Sequence, residues 1–249
     1  VGRRIDRPAY QQLNPFTAFI DKYMRMAGNP YLQPQFSNSI ELSHTYKNMF
    51  TTTLNYSVIH DMMNETLVHS DSLIIRSMGN IGTRYNFGIA ESATIPFTKW
   101  YTAILFANLY ENKYKGEVNG YPLDAKQLTL ELNINNQFSF QKGWSSELSG
   151  TYATKNRDEG QAVSLPIGQV SAGVSKQLLN NKASIKFNVR DIFYTQKIRE
   201  IQNFQDVQST VNRSRDTRVF NIAFVFRFGA QSKPKMSQAT DEQKRIQLN

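Results

Sequence analysis

The chain has 249 residues, no Cys, 29 Lys and Arg against 20 Asp and Glu, and 40% hydrophobic residues. No run approaches the roughly 20 apolar residues of a spanning helix, and the lack of Cys removes disulfide scaffolds, thiolate metal sites and Cys nucleophiles together. With 12% aromatic and 20% charged residues a folded chain is expected; low hydropathy with many aromatics fits soluble domains or a transmembrane β-barrel, whose two faces average out along each strand.

The start, Val1-Gly2-Arg3-Arg4-Ile5-Asp6-Arg7-Pro8, has no initiator Met and no charged segment leading into an apolar run. No signal peptide is visible, and the chain reads as part of something longer. Residues 1–5 suit the end of a strand. In 16–26, Phe16, Phe19, Ile20 and Tyr23 fall on one side of a helical wheel, so this stretch reads as a short helix or another local loop fold without a ligand role.

From there alternation dominates. Ile40, Leu42, His44 and Tyr46 alternate with polar neighbours, as do Phe50, Leu54, Tyr56 and Val58. Ile81, Tyr85, Phe87 and Ile89 stand opposite Arg84, Asn86 and two glycines, whereas 100–110 is more uniformly apolar. The longest run is Leu128, Leu130, Leu132, Ile134, Asn136, Phe138 and Phe140 against Thr129, Glu131, Asn133, Asn135 and Gln137. A period of two suits a strand with one apolar face and is useless to a helix. Further strands follow around Trp144 to Tyr152, Val170 to Val174, Ala183 to Val189 and Phe220 to Phe228. The pattern predicts nine strands, at 36–47, 50–61, 80–94, 99–112, 125–140, 143–155, 166–178, 182–194 and 215–228, with 1–5 as a tenth.

The links alternate in length. Those at 47–49, 95–98, 141–142 and 179–181 are short; those at 62–79, 113–124, 156–165 and 195–214 are long and polar. The apolar Leu73, Ile74 and Ile75 suit a hairpin extending within 62–79. Short turns at one end and long loops at the other are the layout of an outer-membrane barrel with periplasmic turns and outer loops. A soluble sandwich would also separate core from solvent by alternation, but strands of more than ten residues exceed the usual length of about 5–6. The expected fold is therefore all-β, a transmembrane antiparallel β-barrel. Tyr46, Phe50, Phe97, Trp100 and Trp144 flank the short turns and suit an aromatic girdle at one membrane interface. Alternation assigns Arg84, Asn86, Glu131, Asn133, Asn135, Lys186, Asn188 and Arg190 to the lumen.

Three segments resemble a known family. Arg3-Arg4-Ile5-Asp6-Arg7-Pro8-Ala9-Tyr10-Gln11-Gln12-Leu13-Asn14-Pro15-Phe16 is followed by Gly28-Asn29-Pro30-Tyr31-Leu32-Gln33-Pro34-Gln35 and then by Ile40-Glu41-Leu42. They resemble the outer-membrane β-barrel family of Bacteroidetes TonB-dependent receptors, with Gln35 where that family commonly has Glu. Asn188-Val189-Arg190-Asp191-Ile192-Phe193 is similar to its penultimate strand and Phe226-Arg227-Phe228-Gly229 to its last.

The resemblance implies that residues 1–229 are nine or ten C-terminal strands of a barrel of about 22 strands, the size of plugged outer-membrane transporters. The plug domain and the segment that contacts TonB would lie upstream. It implies energy-coupled uptake of a solute bound at the outer loops, with plug contacts and solute path among the lumen residues. The alternatives are a receptor-like scaffold barrel in an envelope complex with other envelope proteins, and a small closed barrel of eight to ten strands. The polar stretch 230–249 reads as a disordered or loosely helical tail in the periplasm.

Signs of chemistry are few. His44, His60 and His69 lack partners at ligand spacing, so no metal is expected, and His44 suits a girdle or packing role. Neither a nucleophile elbow nor a phosphate loop is present, so no cofactor and no enzyme activity are expected. The net charge of +9 comes partly from residues at loop bases, Lys113, Lys115, Arg157, Lys197, Arg199, Arg213, Arg215 and Arg218. They read as scattered solvated charge near outer-membrane lipid and lipopolysaccharide phosphates. Nucleic acid is not an expected partner, because the aromatics lie on the face assigned to lipid.

Overall fold

A computed structural model of the chain describes residues 1–70, 73–204 and 207–228; the tail expected at 230–249 lies outside them. The strands in chain order begin with β1 (Gly2–Asp6), β2 (Ala18–Phe19), β3 (Met24–Met26), β4 (Gln35–Tyr46), β5 (Phe50–His60) and β6 (Met63–Ser70). They continue with β7 (Leu73–Asn80), β8 (Thr83–Pro96), β9 (Tyr101–Val118), β10 (Tyr121–Ser139), β11 (Trp144–Ala153) and β12 (Asn156–Glu159). The last are β13 (Ala162–Ser164), β14 (Ile167–Leu178), β15 (Ala183–Arg190), β16 (Ile198–Phe204), β17 (Val207–Arg213) and β18 (Val219–Phe226). One α-helical turn, α1, covers Tyr10–Leu13.

Ten of these strands form one antiparallel sheet in the order β1-β4-β5-β8-β9-β10-β11-β14-β15-β18. Each pairs with the next along the chain's up-and-down path, and β1 and β18 are its two edges. The short turns are tight because their residues accept the left-handed backbone that close hairpin links need. Lys47 and Asn48 have φ of 49° and 52°, and Leu179, Asn180 and Asn181 have 52°, 52° and 69°.

The opposite end differs from the sequence reading in one respect. Residues 113–124, expected as a long loop, continue β9 and β10 to lengths of 18 and 19 residues, joined by Asn119 and Gly120. A strand crosses a membrane in about 9–11 residues, so nearly half of this hairpin stands clear of the spanning band. Its polar composition reflects exposure to water rather than a lack of regular structure. Strand β15 ends at Arg190, short of the expected 194, because Asp191 turns the chain with φ of 49°.

The other three long links form hairpins: β6–β7, β12–β13 and β16–β17 build two four-stranded sheets, β2-β3-β7-β6 and β12-β13-β16-β17. Of the two readings of 16–26, the structure shows a local loop fold and not the short helix. There the Asp21 carboxylate accepts the backbone N–H groups of Tyr23 and Met24, closing a turn, and β3 then runs parallel to β7. Phe16, Phe19 and Tyr23 are exposed, so their helical spacing has no core to meet. The Gly28-Asn29-Pro30 segment is tied to this sheet: the Asn29 amide donates to the Met78 carbonyl at 3.0 Å, and a Cβ on Gly28 would lie 2.4 Å from the Asn14 carbonyl oxygen. Gln35 accepts from Met63 N–H and donates to the Asp6 carboxylate at 3.2 Å, a bond that Glu could not donate.

Under these hairpins lies a small core of Met62, Ile81, Tyr114, Val118 and Leu123, with Ile59 and Ala125 against it. It knits three loops together, since Tyr114 Oη donates to the Arg157 carbonyl and Asn119 to that of Leu67. Gly82 and Gly116 let two backbones touch: a Cβ on Gly82 would lie 2.4 Å from the Lys115 carbonyl oxygen, and Gly82 has φ of 109°. Gly82→Ala is therefore expected to loosen the loop core by about 1–3 kcal/mol, read as faster cleavage of the hairpins by externally added protease. Unchanged protection would contradict the packing described.

Candidate functional site

The ladder registers decide which side chains share a face, because directly paired residues point the same way. One row reads Ala90, Asn108, Glu131 and Ala153; another reads Thr94, Ile104, Asn135, Ser149 and Ser171. A third joins Glu147, Gly173, Asn188 and Asn221. Followed across the sheet, the registers bring Arg84, Asn86, Glu131, Asn133, Asn135, Lys186, Asn188 and Arg190 to a single face. Ile104 and Phe106, in the segment whose faces are ambiguous in sequence, also lie there.

This polar face is cross-linked between neighbouring strands. Glu131 accepts from Tyr110 Oη at 2.9 Å and from the Asn108 amide at 3.4 Å. Asn86 donates to Asn112 at 2.8 Å, Asn135 to Glu147 at 2.6 Å, and Ser145 bonds Ser175 at 2.7 Å. Even so, hydrogen-bonding capacity is left over. Asn55 Oδ1, Arg84 Nε, Asn108 Oδ1, Asn135 Oδ1, Gln169 Oε1 and Gln177 Oε1 are buried and meet no partner within the described chain. Each lies on this same face, and leaving such groups unmet costs about 1–3 kcal/mol apiece. Over β11, β14 and β15 the face holds a groove of 580 Å³, lined by small residues such as Ser149, Ser171 and Gly173 and flanked by Glu147, Lys186 and Arg190.

The opposite face is apolar yet open. Leu42, Leu54, Ile89, Leu109 and Leu130 form one continuous row, and Leu42 is 67%, Ile222 75% and Phe224 62% exposed. So much exposed apolar surface requires an apolar surrounding. Glu91 also stands on this face, where it accepts from Thr52 Oγ1 at 2.5 Å, beside His44 on the paired strand. His60 stands at the far end of β5, paired with Phe36, and His69 lies on β6.

At the short-turn end Tyr46 faces Phe50. Phe97 stacks on Tyr101 at 5.2 Å, Trp100 on Phe138 and Phe140 at 6.1 and 6.2 Å, and Lys176 Nζ sits 4.8 Å above the Trp144 ring. Each ring pair contributes about 0.5–1.5 kcal/mol beyond its burial.

Alternation does not reveal Asp191, which is fully buried where the chain leaves β15. Its carboxylate accepts from Thr217 Oγ1, from Thr195 N–H at 2.9 Å and Oγ1 at 3.2 Å, and from Gln196 N–H at 3.0 Å. Burial pushes its pKa up, but the bonds from Thr217, Thr195 and Gln196 outweigh burial and hold it at about 2. The sequence cue is a carboxylate four residues before a hydroxyl at a strand end; nothing local points to Thr217.

Comparison with known proteins accords with this geometry. Residues 1–226 match the outer membrane protein beta-barrel family. The chain is similar to the siderophore receptor PirA from Pseudomonas aeruginosa, at 13% identity and a TM-score of 0.59 over 89% of this chain and 37% of that one. It is also similar to the ferric enterobactin receptor PfeA from Pseudomonas aeruginosa in complex with enterobactin, at 15% identity and a TM-score of 0.55 over 89% and 37%. The chain thus spans little more than a third of the length of the receptors it matches, and at these identities the likeness is one of fold. No curated protein matches it.

Because its folded pKa is depressed, Asp191 adds stability that is fully present above pH about 4 and is lost as the pH falls through about 2. Asp191→Asn turns one acceptor into a donor facing N–H and O–H groups. It should cost about 1–3 kcal/mol at neutral pH and abolish that acid transition, followed as protease sensitivity of the β15–β18 connection. An unchanged acid profile would show that the carboxylate does not hold the connection.

Proposed function

Because the chain belongs to the outer membrane protein beta-barrel family, we propose that it is the C-terminal part of a larger, plugged barrel of about 22 strands. That barrel takes up a solute with energy delivered through TonB. The observation that carries this reading is the open sheet with one polar face. A barrel strand in lipid cannot leave its edge unpaired, since each unbonded backbone group there costs several kcal/mol; β1 and β18 both need further strands.

In this arrangement the exposed apolar face meets lipid, and the aromatics at the short turns form the girdle at the periplasmic interface. The hairpins over the small core stand outside the cell, and residues beyond 229 run into the periplasm. Arg84, Asn86, Glu131, Asn133, Asn135, Lys186, Asn188 and Arg190 line the lumen, where Glu131 and Glu147 oppose Lys186 and Arg190 as contacts for plug or passing solute. The chain then acts as a transporter wall and not as an enzyme. PirA is a siderophore receptor, and a related uptake role is the reading that fold and family support best.

The test is the intact mass of the native protein extracted from the outer membrane in detergent. A mass several times the 28.6 kDa of this chain is expected. A mass near 28.6 kDa would mean a small closed barrel or a processed subunit, and would overturn the plugged-transporter reading.

A further inference from the structure

The upper end of the β9–β10 hairpin carries an arrangement on its apolar face that barrel architecture does not require. Lys113 and Lys126 are direct cross-strand partners, so two like charges face each other, an arrangement that destabilises a ladder. The next pair, Lys115 with Asp124, has opposite signs. Among the described residues no carboxylate lies within ion-pair distance of Lys113 or Lys126, although Glu111 and Asp124 share their face.

Immediately below begins an apolar groove of 380 Å³ lined by Leu109, Leu128, Leu130 and Tyr152, with Lys155 at its rim. Leu128 follows Lys126 by two residues on the same face, about 7 Å along the strand. The depth agrees as well. Counting the 9–11 residues that span a membrane from the rings of Tyr101 and Phe138 reaches Glu111 on β9 and Leu128 on β10. The lysine pair therefore sits one step above the hydrocarbon and the groove just inside it.

We propose that Lys113 and Lys126, with Lys155, hold a phosphate of one lipopolysaccharide molecule of the outer leaflet, whose acyl chain lies in the groove. This rests on the outer-membrane reading above, with the long hairpins outside. Between the two ammonium groups a phosphate turns a repulsive pair into two charge-assisted bonds, while the groove excludes water from the chain below it. The apolar groove selects an amphiphile over a free anion, and the leaflet supplies lipopolysaccharide.

The test compares the full-length native protein with its Lys113→Gln/Lys126→Gln and Lys113→Arg/Lys126→Arg variants. Each is extracted from the outer membrane, washed in mild detergent, and examined for bound lipid by native mass spectrometry. Wild type is expected to keep about one lipopolysaccharide, the Gln variant to lose it about tenfold, and the Arg variant to retain it. Delipidated wild type should rebind lipopolysaccharide in nanodiscs. Equal retention by wild type and the Gln variant would overturn the proposal, as would equal rebinding of phosphatidylglycerol or of inorganic phosphate alone. Outer-membrane fractionation and heat-modifiable migration of the same samples report separately on the barrel. A folded outer-membrane barrel without selective lipid loss would therefore refute the site and leave the transporter reading intact.

Discussion

In hydrocarbon a backbone amide has no water to bond, so a chain that crosses as strands must satisfy every N–H and C=O by pairing with neighbours. The rest of this structure depends on that constraint. It makes β9 and β10 pair along nearly their whole length, and it confines irregular backbone to the two ends. It also separates the side chains, since a strand with both neighbours in place has only its two faces left. One carries the apolar Leu42, Ile89, Leu109 and Ile222, and the other Glu131, Asn135 and Asn188.

Because the period of a strand is two, this division was legible in the residues alone. Leu130, Leu132 and Ile134 against Glu131, Asn133 and Asn135 needed no structure to be sorted. The turns were equally legible, since Asn48, Asn180 and Asn181 tolerate left-handed backbone and the links around them are short. The segment 100–110 was ambiguous because Ile104 and Phe106 are apolar residues on the polar face, beside Asn135 and Asn133. Alternation measures polarity, and there polarity and orientation disagree.

What alternation could not show lies outside the membrane. Polar residues at 113–124 suggested a loop, yet they form paired strands, because a solvated hairpin needs no apolar face when its neighbours and a small core hold it. Met62, Ile81, Tyr114 and Leu123 form that core from residues up to 61 positions apart, a long-range coincidence with no local signature. Asp191 is hidden for the same reason, since Thr217 reaches it from the link before β18. The spacing of Phe16, Phe19 and Tyr23 left helix and local loop fold both open, because helical periodicity is informative only where a core receives the stripe, and these rings are exposed.

The assignment of faces is the claim on which lumen, girdle and lipid contact all depend. It is tested most directly by single Cys substitution in the native protein, with any Cys outside this Cys-free stretch replaced first. Glu131→Cys, Asn133→Cys, Leu130→Cys and Leu132→Cys would each be exposed in intact outer membranes to a small water-soluble maleimide and to a lipid-partitioning one. The account predicts that the positions 131 and 133 react with the soluble reagent, while 130 and 132 react with the lipid-borne reagent alone. Labelling of 130 and 132 from water, with 131 and 133 protected by lipid, would contradict it.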